Sequence, residues 1–125
     1  MQPKKILVVD DSKLMLKMYE LTLRSHALVF ASDGREALSR LAENPEVDLI
    51  LLDLNMPVMG GLELLGHLRA NGALPRLAVV IVTTDGKEDE IARGIAAGAA
   101  AYVTKPFDAE KILRLIASLE QGTLA

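Results

Sequence analysis

The chain has no cysteine and no tryptophan, and its only aromatic residues are two tyrosines and two phenylalanines. Without cysteine there is no disulfide, no thiolate chemistry and no cysteine-based metal site. No apolar run approaches the roughly 18 residues of a membrane-spanning helix. The opening MQPKKILVV has two lysines and then four apolar residues, too short for a signal-peptide core, and acidic residues follow at once. Basic residues are not in surplus, for the formal net charge is −3, and non-specific nucleic-acid binding needs a basic face. The glycines near position 60 are not followed by Gly-Lys-Ser/Thr, so they form no P-loop. These absences point to a cytoplasmic protein with neither membrane insertion nor direct nucleic-acid binding.

What is present suits one packed domain of 125 residues, half of them hydrophobic. Three apolar runs stand out: Ile6 to Val9, Leu49 to Leu52, and Leu77 to Val82. None alternates with period two, which suits strands buried on both faces of a parallel sheet. Weaker strand candidates are Ala27 to Phe30 and Ala100 to Thr104. Helical spacing fills the gaps. It is clear over 34–43 (Ala37, Leu38, Leu41, Ala42) and over 108–119 (Ile112, Leu115, Ile116, Leu119), with Asp108 as N-cap and Lys111 and Arg114 outward. The order is strand then helix, five times over, which implies a doubly wound α/β sheet with helices on both faces. Ligands bind such sheets at the carboxyl ends of the strands, near a topological switch point.

The residues at those ends are Asp10-Asp11, Asp53, Thr83-Thr84 and Lys105. Asp53 closes an apolar run in LILLDLNMPVMGG, where an uncompensated carboxylate would cost several kcal/mol or more. Three carboxylates together repel, by roughly 4 kcal/mol per pair at 4 Å and an effective dielectric of 20. One lysine cannot neutralise them, whereas a divalent cation can. Oxygen-only ligands in an open cup suit Mg²⁺. Asp11 and Asp53 are the expected holders, with Asp10 helping through water. Lys105 and Thr83 would face an incoming anion, and a phosphoryl group fits, with Asp53 as nucleophile on the central strand. Singly, each residue has a plainer reading: Asp53 as a turn cap, Asp10-Asp11-Ser12 as a helix cap, Lys105 as a solvated lysine. His26 and His67 have no second ligand at metal spacing and read as surface or helix-end residues.

Taken in order, VVDDS (8–12), LDLNMPVMGG (52–61), VVIVTT (79–84), GAAAY (98–102) and VTKPF (103–107) resemble the receiver domains of two-component response regulators. The single-domain chemotaxis-type regulators look nearest. The resemblance implies a flavodoxin-like (βα)5 fold with strand order 2-1-3-4-5, the receiver spanning 1–121 and a short tail 122–125. It implies Asp53 as phosphoacceptor, Asp10 and Asp11 as the acidic Mg²⁺ pair, and the backbone carbonyl of Asn55 completing the metal shell. Lys105 would contact the phosphoryl group and be followed by a cis-proline, Pro106. Thr83 and Tyr102 would be the switch pair, although a partly buried strand tyrosine is also an ordinary structural residue. Asn55 and Asp85 would tune hydrolysis, and their polar character implies a short-lived acyl phosphate. The partners implied are a histidine kinase or histidine phosphotransfer domain and an output protein reached through the fourth helix, fifth strand and fifth helix.

Some positions depart from the family pattern. Thr84 stands where many receivers have a small residue, which implies slower phosphorylation by small donors. Ala100 and Ala101 replace acidic residues that DNA-binding relatives use in dimer salt bridges. The first helix, roughly 13–24, has a wide apolar arc centred near Met15 and Tyr19, with Leu14, Leu16, Leu21 and Leu23 at its edges. Packing against neighbouring helices accounts for it, and so does a kinase-docking patch built on Leu14 and Leu16. The function expected is a phosphoacceptor module, not a turnover enzyme. The alternatives are an unphosphorylated adaptor receiver and an aspartyl-phosphate hydrolase, the latter disfavoured by Asn55 two residues after Asp53 and by the lack of room for a cap insertion. A flavin-binding flavodoxin-like module is disfavoured by the acidic site and the scarce aromatics.

Overall fold

The computed structural model describes residues 5–74, 76–84, 87–105 and 109–120. Five strands and five helices alternate: β1 Ile6–Val9, α1 Lys13–Thr22, β2 Leu28–Ala31, α2 Gly34–Glu43, β3 Leu49–Leu52, α3 Gly61–Ala70, β4 Ala78–Thr84, α4 Glu88–Ala96, β5 Ala101–Lys105 and α5 Ala109–Glu120. The strands form one parallel sheet in the order β2-β1-β3-β4-β5. This is the flavodoxin-like arrangement, and β3 is its middle strand.

The continuous apolar runs are explained by burial on both faces. Alternate residues of β1, β3 and β4 serve different cores. Leu7, Val9, Ile50, Leu52, Val79 and Ile81 pack with Ala37 of α2 and Leu64, Leu65 and Leu68 of α3. Ile6, Val8, Leu49, Leu51, Val80, Val82 and Val103 pack with Tyr19 of α1 and Ile112 and Ile116 of α5. Each such buried aliphatic contributes about 1.5–3 kcal/mol relative to exposure. α4 lies on the first face, so close that a Cβ on Gly94 would stand 2.3 Å from Ile81 Cδ1.

Caps fix where the helices begin. Ser12 Oγ accepts the Met15 N–H at 3.2 Å, and Asp33 Oδ1 accepts the Glu36 N–H at 2.8 Å. The expected bounds shift in places. α1 stops at Thr22 rather than 24, because Leu23 is its C-cap and a turn closes from His26 N–H to the Leu23 carbonyl. β2 and β5 run one residue later than their patterns suggested. β4 runs on to Thr84, because its ladder with β5 continues through Thr83 beside Thr104 and Thr84 beside Lys105. α5 occupies Ala109–Glu120, and the expected cap Asp108 lies outside the described residues, as do Asp85, Pro106 and the tail 122–125.

Candidate functional site

The sheet brings the predicted residues to one rim. Val9 and Leu52 are partners in the β1–β3 ladder, so Asp10 and Asp53, which follow them, lie side by side. Both are held by the ladder itself: the Asp53 N–H donates to the Val9 carbonyl at 2.9 Å and the Asp10 N–H to the Ala31 carbonyl at 3.0 Å. The reversal from β2-β1 to β1-β3 marks this edge as the topological switch point. Asp10 is 1% exposed, Asp53 7% and Thr83 1%. Asp11 is exposed. One oxygen from each of Asp10, Asp11 and Asp53 lies within 4.8 Å of the others.

Among the described residues, one ammonium reaches into this group. Lys105 Nζ donates to Asp10 Oδ2 at 2.9 Å and stands 3.6 Å from Asp53 Oδ2. Asp10 Oδ1 also accepts the Ser12 N–H at 2.9 Å, so both its oxygens are engaged. Asp53 is less well served, its Oδ1 accepting the Asn55 N–H at 3.4 Å. Burial therefore raises the Asp53 carboxyl above the usual carboxylate range. Lys105 opposes the rise, Asp10 reinforces it, and the Asn55 N–H and Asp11 make smaller opposed contributions. A buried carboxylate that resists ionisation, with two others beside it and one face open through Asp11, presents hard oxygen donors short of positive charge. Those residues fit a hard divalent cation.

Thr84 is exposed at the strand end beside Lys105. Tyr102 lies on β5 with its ring turned outward, 53% exposed. Asn55 is exposed on the loop that leaves Asp53. The pair proposed for docking divides. Leu14 is 72% exposed, but Leu16 packs against the core that includes Ile6 and Tyr19, because its side of α1 faces β2 and Phe30. Met18 and Leu21 continue the open patch in its place.

Tyr19 was not foreseen as part of the site. It is fully buried in the same core as Val8 and Leu51, two residues before Asp10 and Asp53. Burial, then the Asp10 and Asp53 carboxylates, push its phenol far up. Its only signal in the sequence is its place near the centre of the apolar arc.

A flavodoxin-like sheet with this acidic rim at its switch point defines the class. The chain belongs to the response regulator receiver domain family, whose model matches residues 6–117. It is similar to a chemotaxis protein CheY homolog of Campylobacter jejuni, 39% identical over 106 residues that cover 82% of each chain. It is also similar to the probable transcriptional regulatory protein TcrX of Mycobacterium tuberculosis, 40% identical over 124 residues, 96% of this chain and 51% of that one. The chemotaxis response regulator CheY4 of Vibrio cholerae has a solved structure that matches with a TM-score of 0.83 at 32% identity, covering 94% of this chain and 99% of that one. Membership implies a kinase partner and an output protein or domain. Among the described residues, no helix is long and apolar enough to cross a membrane.

Proposed function

We propose that this receiver accepts a phosphoryl group on Asp53 from a phosphohistidine of a histidine kinase or histidine phosphotransfer domain, in a Mg²⁺-dependent reaction in the cytoplasm. The observation that carries the reading is the gathering of Asp10, Asp11 and Asp53 within 4.8 Å, with Lys105 at 2.9 and 3.6 Å from two of them, at the end of the middle strand. An Asp53 carboxylate oxygen attacks phosphorus in line, and the P–N bond to the donor imidazole breaks, its electron pair staying on the ring. Asp10, Asp11, Asp53 and the Asn55 carbonyl would hold Mg²⁺, which supplies charge stabilisation for the transferring oxygens. Lys105 and Thr83 offer an ammonium and a hydroxyl to the same oxygens.

The acyl phosphate is then hydrolysed by water, with Asn55 and Asp85 tuning access, so the domain returns to its starting state without turning over a separate substrate. Attraction of the Thr83 hydroxyl to the phosphoryl group would draw Tyr102 inward from its exposed position and alter the α4-β5-α5 surface that an output partner reads. The test is intact mass after incubation with acetyl phosphate. The wild type gains one phosphoryl group with Mg²⁺ and none with a chelator, and Asp53→Asn gains none. An unchanged gain in Asp53→Asn would sink the assignment.

A further inference from the structure

The loop that follows Asp53 is fastened at three points. At its base the Gly61 N–H donates to the Leu54 carbonyl at 3.0 Å. No side chain fits there, since a Cβ on Gly61 would stand 2.5 Å from the Asp53 carbonyl oxygen. At its tip the Met59 N–H reaches back to the Pro57 carbonyl at 2.7 Å, and Val58 between them has a φ of 65°. That is a γ-turn on the positive-φ side, rare for any L residue and strained for a β-branched one. Val58 is 74% exposed, so no core contact explains it. On its far limb the loop is tied to α2: the Gly34 N–H donates to the Met59 carbonyl at 2.8 Å. A Cβ on Gly34 would meet Met59 Cγ at 2.8 Å, Sδ at 2.9 Å and the carbonyl oxygen at 3.0 Å. Strain of this kind persists only where the surroundings over-determine the backbone.

We propose that Gly34, through Met59 and the Val58 turn, is a positioning residue for the Asp53 site: the start of α2 sets where Asn55 lies relative to Asp53. Between Asn55 and Met59 stand Pro57, whose ring fixes φ, and the γ-turn. With the base closed and the tip stiff, a displacement of Met59 is passed to Asn55 rather than absorbed. The inference rests on the metal-binding reading of the site, because the quantity it changes is affinity for Mg²⁺.

The test is a Mg²⁺ titration followed by ¹H–¹⁵N NMR, with Tm measured alongside. Gly34→Ala weakens Mg²⁺ binding about tenfold, within the range of outer-shell substitutions at metal sites. Adding Met59→Ala to it removes the Cγ and Sδ contacts and restores most of the affinity. Val58→Gly relieves the positive φ, so Tm holds or rises, yet the loosened tip weakens Mg²⁺ binding severalfold. Gly66→Ala, where a Cβ meets nothing within 4 Å, leaves the affinity unchanged. If Gly34→Ala lowers Tm with the Mg²⁺ Kd unmoved, or Val58→Gly binds as tightly as wild type, Gly34 is merely structural and the proposal is overturned. A wild type that does not respond to Mg²⁺, or an Asp11→Asn variant that binds equally well, is a separate failure. It removes the metal reading and the positioning role together.

Discussion

The two ends of the same sheet handle charge in opposite ways. At the amino end, Lys5 Nζ pairs with Glu46 Oε1 at 2.6 Å and donates to Asn44 Oδ1 at 3.1 Å, while Asn44 Nδ2 donates to the Arg40 carbonyl at 2.9 Å. Among the described residues there, Lys5 meets Glu46 one to one, and the Asn44 side chain is bonded on both its oxygen and its nitrogen. At the carboxyl end three carboxylates gather, two of them buried, and among the described residues one lysine reaches the two buried ones. The strands that produce both ends are equally apolar, so the difference does not come from the sheet. A matched pair completes the fold and asks for nothing further. A mismatched cluster stores unfavourable energy that a cation and a phosphoryl group can relieve, and it marks the end where binding happens.

The sharpest way to break this contrast is to remove the mismatch. Asp53 is raised above its ordinary carboxylate range by burial. Its contribution to folding is therefore fully present below that ordinary range and is lost as pH rises through the raised value. Asp53→Asn should stabilise the metal-free protein at pH 7 by about 1–3 kcal/mol, the scale for a poorly satisfied buried polar group. The corresponding rise in Tm is about 4–11 °C for a chain of 125 residues. The gap between variant and wild type should close as pH is lowered below the raised value, and it should shrink when Mg²⁺ is added. Thermal melts in a chelator across that pH range decide the matter; an Asp53→Asn variant no more stable than wild type at pH 7 would mean the cluster is already balanced.

Two smaller effects sharpen the comparison around the same rim. Leu14 stands on the outer face of α1 at 72% exposure, with Met18 and Leu21 along the same open patch. Leu14→Glu should slow phosphotransfer from the cognate kinase about tenfold, equivalent to ~1.4 kcal/mol, with Tm and acetyl phosphate reactivity unchanged. A loss with acetyl phosphate as well would place the defect in the site and not in docking. Thr84 is exposed beside Lys105. Thr84→Ala should speed modification by acetyl phosphate about threefold, or ~0.7 kcal/mol, and equal rates would show that the β-branched side chain does not narrow the entrance.

Much of the carboxyl end was legible in the sequence, because unbroken apolar runs announce strands buried on both faces and the residues that end them declare themselves. Asp10, Asp53, Thr83 and Lys105 all reach the rim as expected. Three features were not legible, each because it depends on contacts between distant segments. Leu16 and Leu14 look alike in an apolar helix, and only the position of β2 decides that Leu16 is partly covered. Tyr19 reads as one more member of the arc until the helix docks and buries it with Val8 and Leu51, where the Asp10 and Asp53 carboxylates act on its phenol. The positive φ at Val58 runs against the preference of a β-branched residue, so local reading argues away from it. Its cause lies in the loop closure at Gly61 and the tie to Gly34, 24 residues earlier in the chain (58 − 34).

The smallest expected effect belongs to the amino end, and it is the control for everything above. Glu46 is exposed, its side chain 44% accessible, and the hydrogen bond from Lys5 holds its carboxyl below the ordinary value. That shift implies stability present above the ordinary carboxylate range and lost as pH falls through the lowered value. Solvent screens so exposed a pair, however, and ordering two mobile side chains offsets most of what the contact provides. Glu46→Gln should therefore leave Tm within about 2 °C of wild type at pH 7, with no difference at low pH where the carboxyl is protonated. Its effect should also fade with added salt, unlike that of Asp53→Asn, whose buried carboxylate is little screened. A Glu46→Gln loss as large as the gain from Asp53→Asn would show that the amino end too holds charge under tension, and the division between a settled end and an unsettled one would fail.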